Sequence, residues 1–169
     1  MHTDSSVSSD TIKEELRWLH AETFDMDVFL ASRKHQKLSK TAAAIYIITQ
    51  EDIRRSSATC VPEVLRMVPG LQVARIDANK WAVASRGFNS RFADMLLVLI
   101  DGRTVYTPLL SGVFWDVQNL MLEDVDHIEV VRGPGSTLWG SNAVNGIINI
   151  VTKKTKDTKG GLVTGMGGD

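Results

Sequence analysis

The sequence predicts an α+β domain, and three observations carry that reading. Its apolar runs are of strand length, the longest spanning Met95 to Ile100. Helical patterning is confined to short stretches in the first part of the chain. Beyond Gly70, strand-like segments alternate with turn signals. The order is therefore strand, two helices, then mostly strands, rather than the βαβ alternation of a parallel α/β sheet.

The elements follow in order. Residues 1–10 are rich in Ser, Thr and Asp and read as a disordered tail. Thr11 and Glu14 form a T-x-x-E capping box, and Ile12, Leu16 and Leu19 fall on one face, which predicts a short amphipathic helix. Met26 to Ala31 is a short β-prone segment. The polar run Ser32 to Lys40 carries Arg33, Lys34, His35, Lys37 and Lys40 and reads as a solvated linker. The globular part is expected to begin near Thr41. Ala44 to Thr49 reads as a buried strand, after which Thr49 caps a helix starting at Glu51, with Asp52 favourable in its first turn. Val61 to Met67 reads as a second helix, opened by Pro62 and stopped by Pro69-Gly70.

Strands are then expected at Leu71 to Ile76, Trp81 to Arg86, Leu96 to Ile100, His127 to Arg132 and Ile147 to Thr152. Asp77-Ala78-Asn79, Gly87 to Ser90, Asp101-Gly102 and Gly133-Pro134-Gly135 are the turns between them. Thr107 to Asp116 reads as a longer loop with exposed aromatics. Lys153 to Lys159 is basic and polar. Gly160 to Asp169 holds five glycines and reads as the start of a strand whose partners lie elsewhere.

Composition narrows the function classes. With 169 residues, 43% apolar and 23% charged, the chain can bury one real core. A net charge of -1 provides no field for nucleic acid or anionic lipid. No stretch reaches the ~18–20 apolar residues of a membrane helix. The polar N-terminus lacks a basic region before an apolar core, so a secretory signal is expected to be either absent or already removed. The single cysteine, Cys60, excludes an internal disulfide and reads as a small buried hydrophobe.

Signatures of catalysis are missing: no H-E-x-x-H, C-x-x-C, G-x-x-x-x-G-K-[ST] or G-x-S-x-G occurs. The glycine-rich Gly133-Pro134-Gly135 loses a phosphate-cradling donor to its proline. His2, His20, His35 and His127 are scattered. Asp124, Asp126 and Glu129 cluster near His127 but read as solvated acids before a strand. Trp81, Trp115, Trp139, Phe88, Phe92, Phe114 and Tyr106 interleave with Arg86, Arg91 and Arg103. The placement of Arg86 and Arg132 before glycines suits fixed ion pairs better than a nucleic-acid groove. No enzyme activity, cofactor, metal or nucleic-acid partner is expected.

The later half carries a dense motif series. It runs Arg86-Gly87-Phe88-Asn89, then Leu97-Val98-Leu99-Ile100-Asp101-Gly102. Val125 to Ser136 follows, containing Ile128-Glu129-Val130-Val131-Arg132-Gly133-Pro134-Gly135. The series ends with Leu138-Trp139-Gly140-Ser141 and Asn145-Gly146-Ile147-Ile148-Asn149-Ile150-Val151-Thr152. Upstream, Ile48-Thr49-Gln50-Glu51-Asp52-Ile53 and Val64-Leu65-Arg66-Met67-Val68-Pro69-Gly70 extend it. This series resembles the plug domain of TonB-dependent outer-membrane receptors across residues 41–155.

The resemblance implies a small mixed β-sheet with short helices and long loops, seated in a separate barrel of roughly 22 strands. At ~10 residues per strand such a barrel needs several hundred further residues. Residues 1–40 would be a flexible leading segment and 156–169 a hinge toward the first barrel strand, making this chain part of a longer receptor. Arg86 and Arg132 would pair with barrel glutamates and, without the barrel, lie exposed and weakly paired. Ligand would touch the loops Ile76 to Trp81 and Thr107 to Trp115 through Asn79, Lys80, Trp81, Leu109, Leu110, Phe114 and Trp115. Met26, Asp27, Val28, Phe29 and Leu30 would form the TonB box, captured by a periplasmic energy transducer, although Asp27 interrupts the usual hydrophobics. The implied role is gating the uptake of a small molecule or metal chelate, such as a siderophore or cobalamin, in the outer membrane. A stand-alone periplasmic ligand-binding or interaction module with the same fold is the alternative.

Overall fold

In a computed structural model of the chain, the described residues are 27–28, 36–37, 45–86, 89, 95–107, 109, 112–156, 158–163 and 165. The expected helix from Thr11 lies outside them. At the leading end, β1 (Asp27–Val28) pairs antiparallel with β2 (Gln36–Lys37). The polar run read as a linker therefore contributes two residues to a ladder with the β-prone segment before it.

The globular part begins with β3 (Ile45–Thr49). Thr49 closes a full capping box: its hydroxyl accepts the Asp52 amide, and the Asp52 carboxylate accepts the Thr49 amide at 2.9 Å. This starts α1 (Gln50–Arg55) one residue earlier than expected. The second helix tightens as it goes, from α2 (Val61–Val64) into a 3₁₀ turn (Leu65–Met67). Pro62 sits in its first turn, where no backbone donor is missed. The chain reverses at Gly70, whose φ of 87° is strained for other residues.

Next come β4 (Leu71–Arg75) and β5 (Trp81–Ser85), paired as an antiparallel hairpin separate from the main sheet. β6 (Leu96–Ile100) turns through Asp101-Gly102 into β7 (Arg103–Thr104), a short strand that sequence patterning did not reveal. 3₁₀ turns at Trp115–Val117 and Leu122–Asp124 lead into β8 (Val125–Arg132). A short helix, α3 (Ser136–Trp139), then precedes β9 (Gly146–Thr152).

The main sheet has five strands in the order β3-β8-β9-β6-β7. Only β6 and β9 are parallel, so the sheet is mixed, as expected. Its centre is buried on both faces, which explains the unbroken apolar run of β6 and the nearly continuous one of β9, interrupted by Asn149. On one face Ile48, Val98, Ile128, Val130, Ile148 and Ile150 join a core with Val64, Leu65 and Val68 from the second helix and Trp81 and Val83 from the hairpin. On the other, Leu97, Leu99, Val131 and Ile147 pack with Ala143. Each fully buried side chain of this size contributes roughly 1.5–3 kcal/mol. Gly146 lets β8 and β9 close together, since a Cβ there would stand 2.8 Å from the Val131 carbonyl oxygen.

Candidate functional site

The start of α2, the tip of the β4–β5 hairpin and the segment Trp115–Glu123 surround a cavity of about 500 Å³. At the tip, the Ile76 amide donates to Lys80 O at 2.8 Å, and the Asp77 carboxylate accepts the Ala78 amide at 2.8 Å and Lys80 Nζ at 3.2 Å. Those contacts hold the Asp77 carboxyl below the usual range, the Ala78 amide contributing most. Arg75 reaches across the tip, its Nε donating to Ala78 O at 3.1 Å.

Trp81 lines the cavity as a fixed wall. The guanidinium of Arg66 and that of Arg75 each lie 5.4 Å from its ring centre. Opposite, Trp115 is drawn inward by its 3₁₀ turn and joins Trp81 and Val113 in the core. The loop's aromatics were expected to be exposed; Trp115 is buried and Phe114 half-buried, because a short turn can bury its ring only by folding it back on the hairpin.

On the α2 side, the Glu63 carboxylate accepts the Thr59 amide at 2.8 Å and its hydroxyl at 2.9 Å. The Thr59 amide is the main reason its carboxyl sits below the ordinary value. Cys60 beside it is half-buried, and burial pushes its thiol up, away from reactive thiolate character. Arg75, Glu63 and Cys60 were not singled out as cavity residues; their proximity arises from tertiary contacts.

Of the residues expected to touch ligand, Asn79, Trp81 and Trp115 line this one cavity, although the hairpin tip and the loop are far apart in sequence. Lys80, Leu109 and Phe114 are not among its lining residues, and Leu110 lies outside the described residues. Leu109 stands 86% exposed, and Ile76, Val117 and Met121 are further large apolar side chains open to solvent.

The two arginines expected to be alike differ. Arg86 is exposed at φ 51°, and its carbonyl accepts the Asn145 side-chain amide at 3.4 Å. Arg132 is half-buried: Nη1 donates to Pro69 O at 3.3 Å, while Nε is buried with no hydrogen-bond partner among the described residues. It turns inward because the end of β8 runs beside the Pro69-Gly70 reversal. Of the predicted box, Asp27 and Val28 form β1, while Met26, Phe29 and Leu30 lie outside the described residues.

Glu129 was read as a solvated acid and is instead 1% exposed. Its carboxylate oxygens lie 3.4 Å from His127 Nε2 and 3.4 Å from Asn149 Nδ2. The alternation of β8 carries the clue, since residues 127, 129 and 131, beyond the bulge at Val125–His127, share one face of a central strand.

A family profile described as TonB-dependent Receptor Plug Domain matches residues 37–147. Vitamin B12 transporter BtuB of Vibrio cholerae serotype O1 (strain ATCC 39541 / Classical Ogawa 395 / O395) is 35% identical over 166 residues, covering 96% of this chain and 27% of that protein. BtuB of Vibrio vulnificus (strain CMCP6) is 29% identical over 170 residues, with 97% and 27% covered. The chain thus spans about a quarter of the length of these curated relatives. Among solved structures, the ferric yersiniabactin uptake receptor FyuA from Yersinia pestis aligns with a TM-score of 0.52 at 25% identity, covering 66% of this chain and 17% of that one. The alcaligin outer-membrane receptor FauA from Bordetella pertussis aligns at 0.57 and 24% identity, covering 76% and 21%, a likeness of fold.

Proposed function

The chain belongs to the TonB-dependent receptor plug family, and from that premise we propose that it gates an outer-membrane uptake receptor. Residues 41–155 fill the lumen of a barrel encoded downstream, 1–40 lead into the periplasm, and 156–169 are the hinge. The observation that carries the ligand reading is the convergence of Asn79, Trp81 and Trp115 on one cavity. Rigid aromatic walls with a few polar groups suit a bulky small molecule. Two of the matched relatives are named for vitamin B12 and ferric yersiniabactin. We therefore assign the cargo to the metal chelates of that size.

Met121, exposed on the cavity wall, and the exposed Leu109 offer the first contact, and the pinned Trp81 wall supplies a fixed surface. Arg86 and the inward-turned Arg132 carry the plug's attachment to barrel carboxylates. The unpartnered Nε of Arg132 supports this, because a buried donor left without an acceptor is costly and an incoming carboxylate would satisfy it.

Uptake is tested in cells carrying the full-length receptor. Deleting residues 77–79 at the hairpin tip is expected to abolish uptake of radiolabelled cyanocobalamin or of a ferric siderophore while leaving receptor abundance unchanged. Undiminished uptake of every chelate that the intact receptor carries would remove the cavity from the ligand path.

Energy coupling follows from β1. Asp27 and Val28 already hold strand geometry, and a ladder of two residues is marginal by itself, so it gives way to a longer ladder with a captured partner. Val28→Pro is expected to weaken binding of the chain to the transducer's periplasmic domain by at least about tenfold, because proline cannot donate to the ladder. Calorimetric titration reads this directly, and unchanged affinity would move the box elsewhere.

The alternative, a stand-alone periplasmic module, is separated from the receptor by the reading frame after Asp169. A run of alternating apolar and polar segments of about ten residues marks the barrel.

A further inference from the structure

The sheet holds an ionisable cluster that neither gating nor ligand contact uses. Glu129 lies mid-strand on β8, opposite Ile47 of β3 and Asn149 of β9. A carboxylate so placed must be paired or neutral. His127, two residues along on the same face, lies with Nε2 3.4 Å from Glu129 Oε1 and Nδ1 2.6 Å from Asp126 Oδ2. Asp126 sits at the β8 bulge and is partly solvated. Both ring nitrogens thus face carboxylate oxygens. A neutral imidazole has one N–H and would turn a lone pair toward one of them; only the imidazolium donates to both.

We propose that His127 is held as an imidazolium between Glu129 and Asp126, and that its proton makes the central sheet a pH-responsive element of the plug, firm while the proton is kept and loosened once it is lost. The linkage reaches beyond β8. Asn149 Nδ2 donates to Glu129 Oε2, and Asn149 Oδ1 accepts the Gly102 amide at 3.1 Å. The proton on β8 is thereby tied through β9 to the β6–β7 turn. Beside Gly102, Asp101 accepts the amide and hydroxyl of Thr152 at 2.8 and 2.9 Å.

The surrounding charges leave the assignment intact. Opposite His127 stand Thr49 on β3 and Val151 on β9. Asp52 of α1 is engaged with Thr49, and Lys153 beyond β9 donates to Glu123 O at 2.6 Å. Burial pulls the imidazole down, and Glu129 and Asp126 outweigh it, so His127 titrates above its ordinary value. Its stabilisation is complete below the unfolded imidazole value, about 6.5. It is lost as pH rises through the higher folded value.

Carbon-edited proton spectra of the chain's four imidazoles, followed against pH, test the proposal, with His127→Gln identifying the signal. His127 is expected to be the last of the four to lose its proton, and Glu129→Gln to bring it back toward the others. The urea midpoint of the wild-type chain is expected to fall as pH rises above about 6.5 and that of His127→Gln to fall less over the same range. An imidazole at 127 that titrates with or below the other three, or that never titrates, overturns the proposal. So does a His127→Gln variant that keeps the wild-type decline. If Glu129→Gln does not fold, the wild-type titration decides.

Discussion

At the scale of single residues, two tryptophans in loops that read as ligand contacts also hold the core. Trp81 is almost wholly buried, yet one side of its ring still faces the cavity. Truncating a buried aromatic of this kind costs about 3–5 kcal/mol. Trp81→Ala is therefore expected to lower the urea unfolding free energy by that order, and loss of ligand binding in that variant would report unfolding as much as a missing contact. Asn79, exposed at the tip, separates the two effects, since its replacement by alanine touches no core. The sequence announced Trp81 as important without revealing which way it faces, because period-two patterning is silent in a strand buried all along its length, as β5 is.

Elements show a clearer line between what local signals reveal and what they cannot. The capping box at Thr49, Pro62 in the first turn of α2 and the Gly70 reversal are local chemistry, and each acts where the sequence puts it. Strand ends agree within a residue or two. Missed were β7, too short to pattern, and the division of the strands into separate sheets, because partner choice depends on residues far along the chain. Glu129 was misread for the same reason: an acid on a central strand differs from one on an edge only through its neighbours. The α2 entrance offers a test at this scale. Glu63 has a depressed carboxyl value in the folded chain, so its contribution is present above the unfolded value of about 4.3. It is lost as pH falls through the folded value. Glu63→Gln is expected to flatten the acid limb of the unfolding curve near that pH, read by circular dichroism.

For the whole molecule, order is concentrated in the middle of the main sheet. β9 is bonded to strands on both sides, and its exit is clamped twice, by Asp101 on Thr152 and by Asp124 O on the Lys153 amide. After Lys153 the described residues are exposed as far as Gly165. Hydrogen exchange read by mass spectrometry is expected to find 127–131 and 147–151 protected longest and 154–163 exchanging at once. Protection extending through 154–163 would mean that the hinge is structured without a barrel.

The strand order β3-β8-β9-β6-β7 also constrains how the domain comes into being. The first strand of the sheet can pair only with one made much later, and the last strand is the piece that joins the two halves. A ribosome that has released everything up to Asn145 has produced only two unconnected pieces of the main sheet, β3–β8 and β6–β7, with bare apolar edges. Assembly must wait for the final stretch, which favours slow, all-at-once folding and leaves the unfinished polypeptide in need of a chaperone.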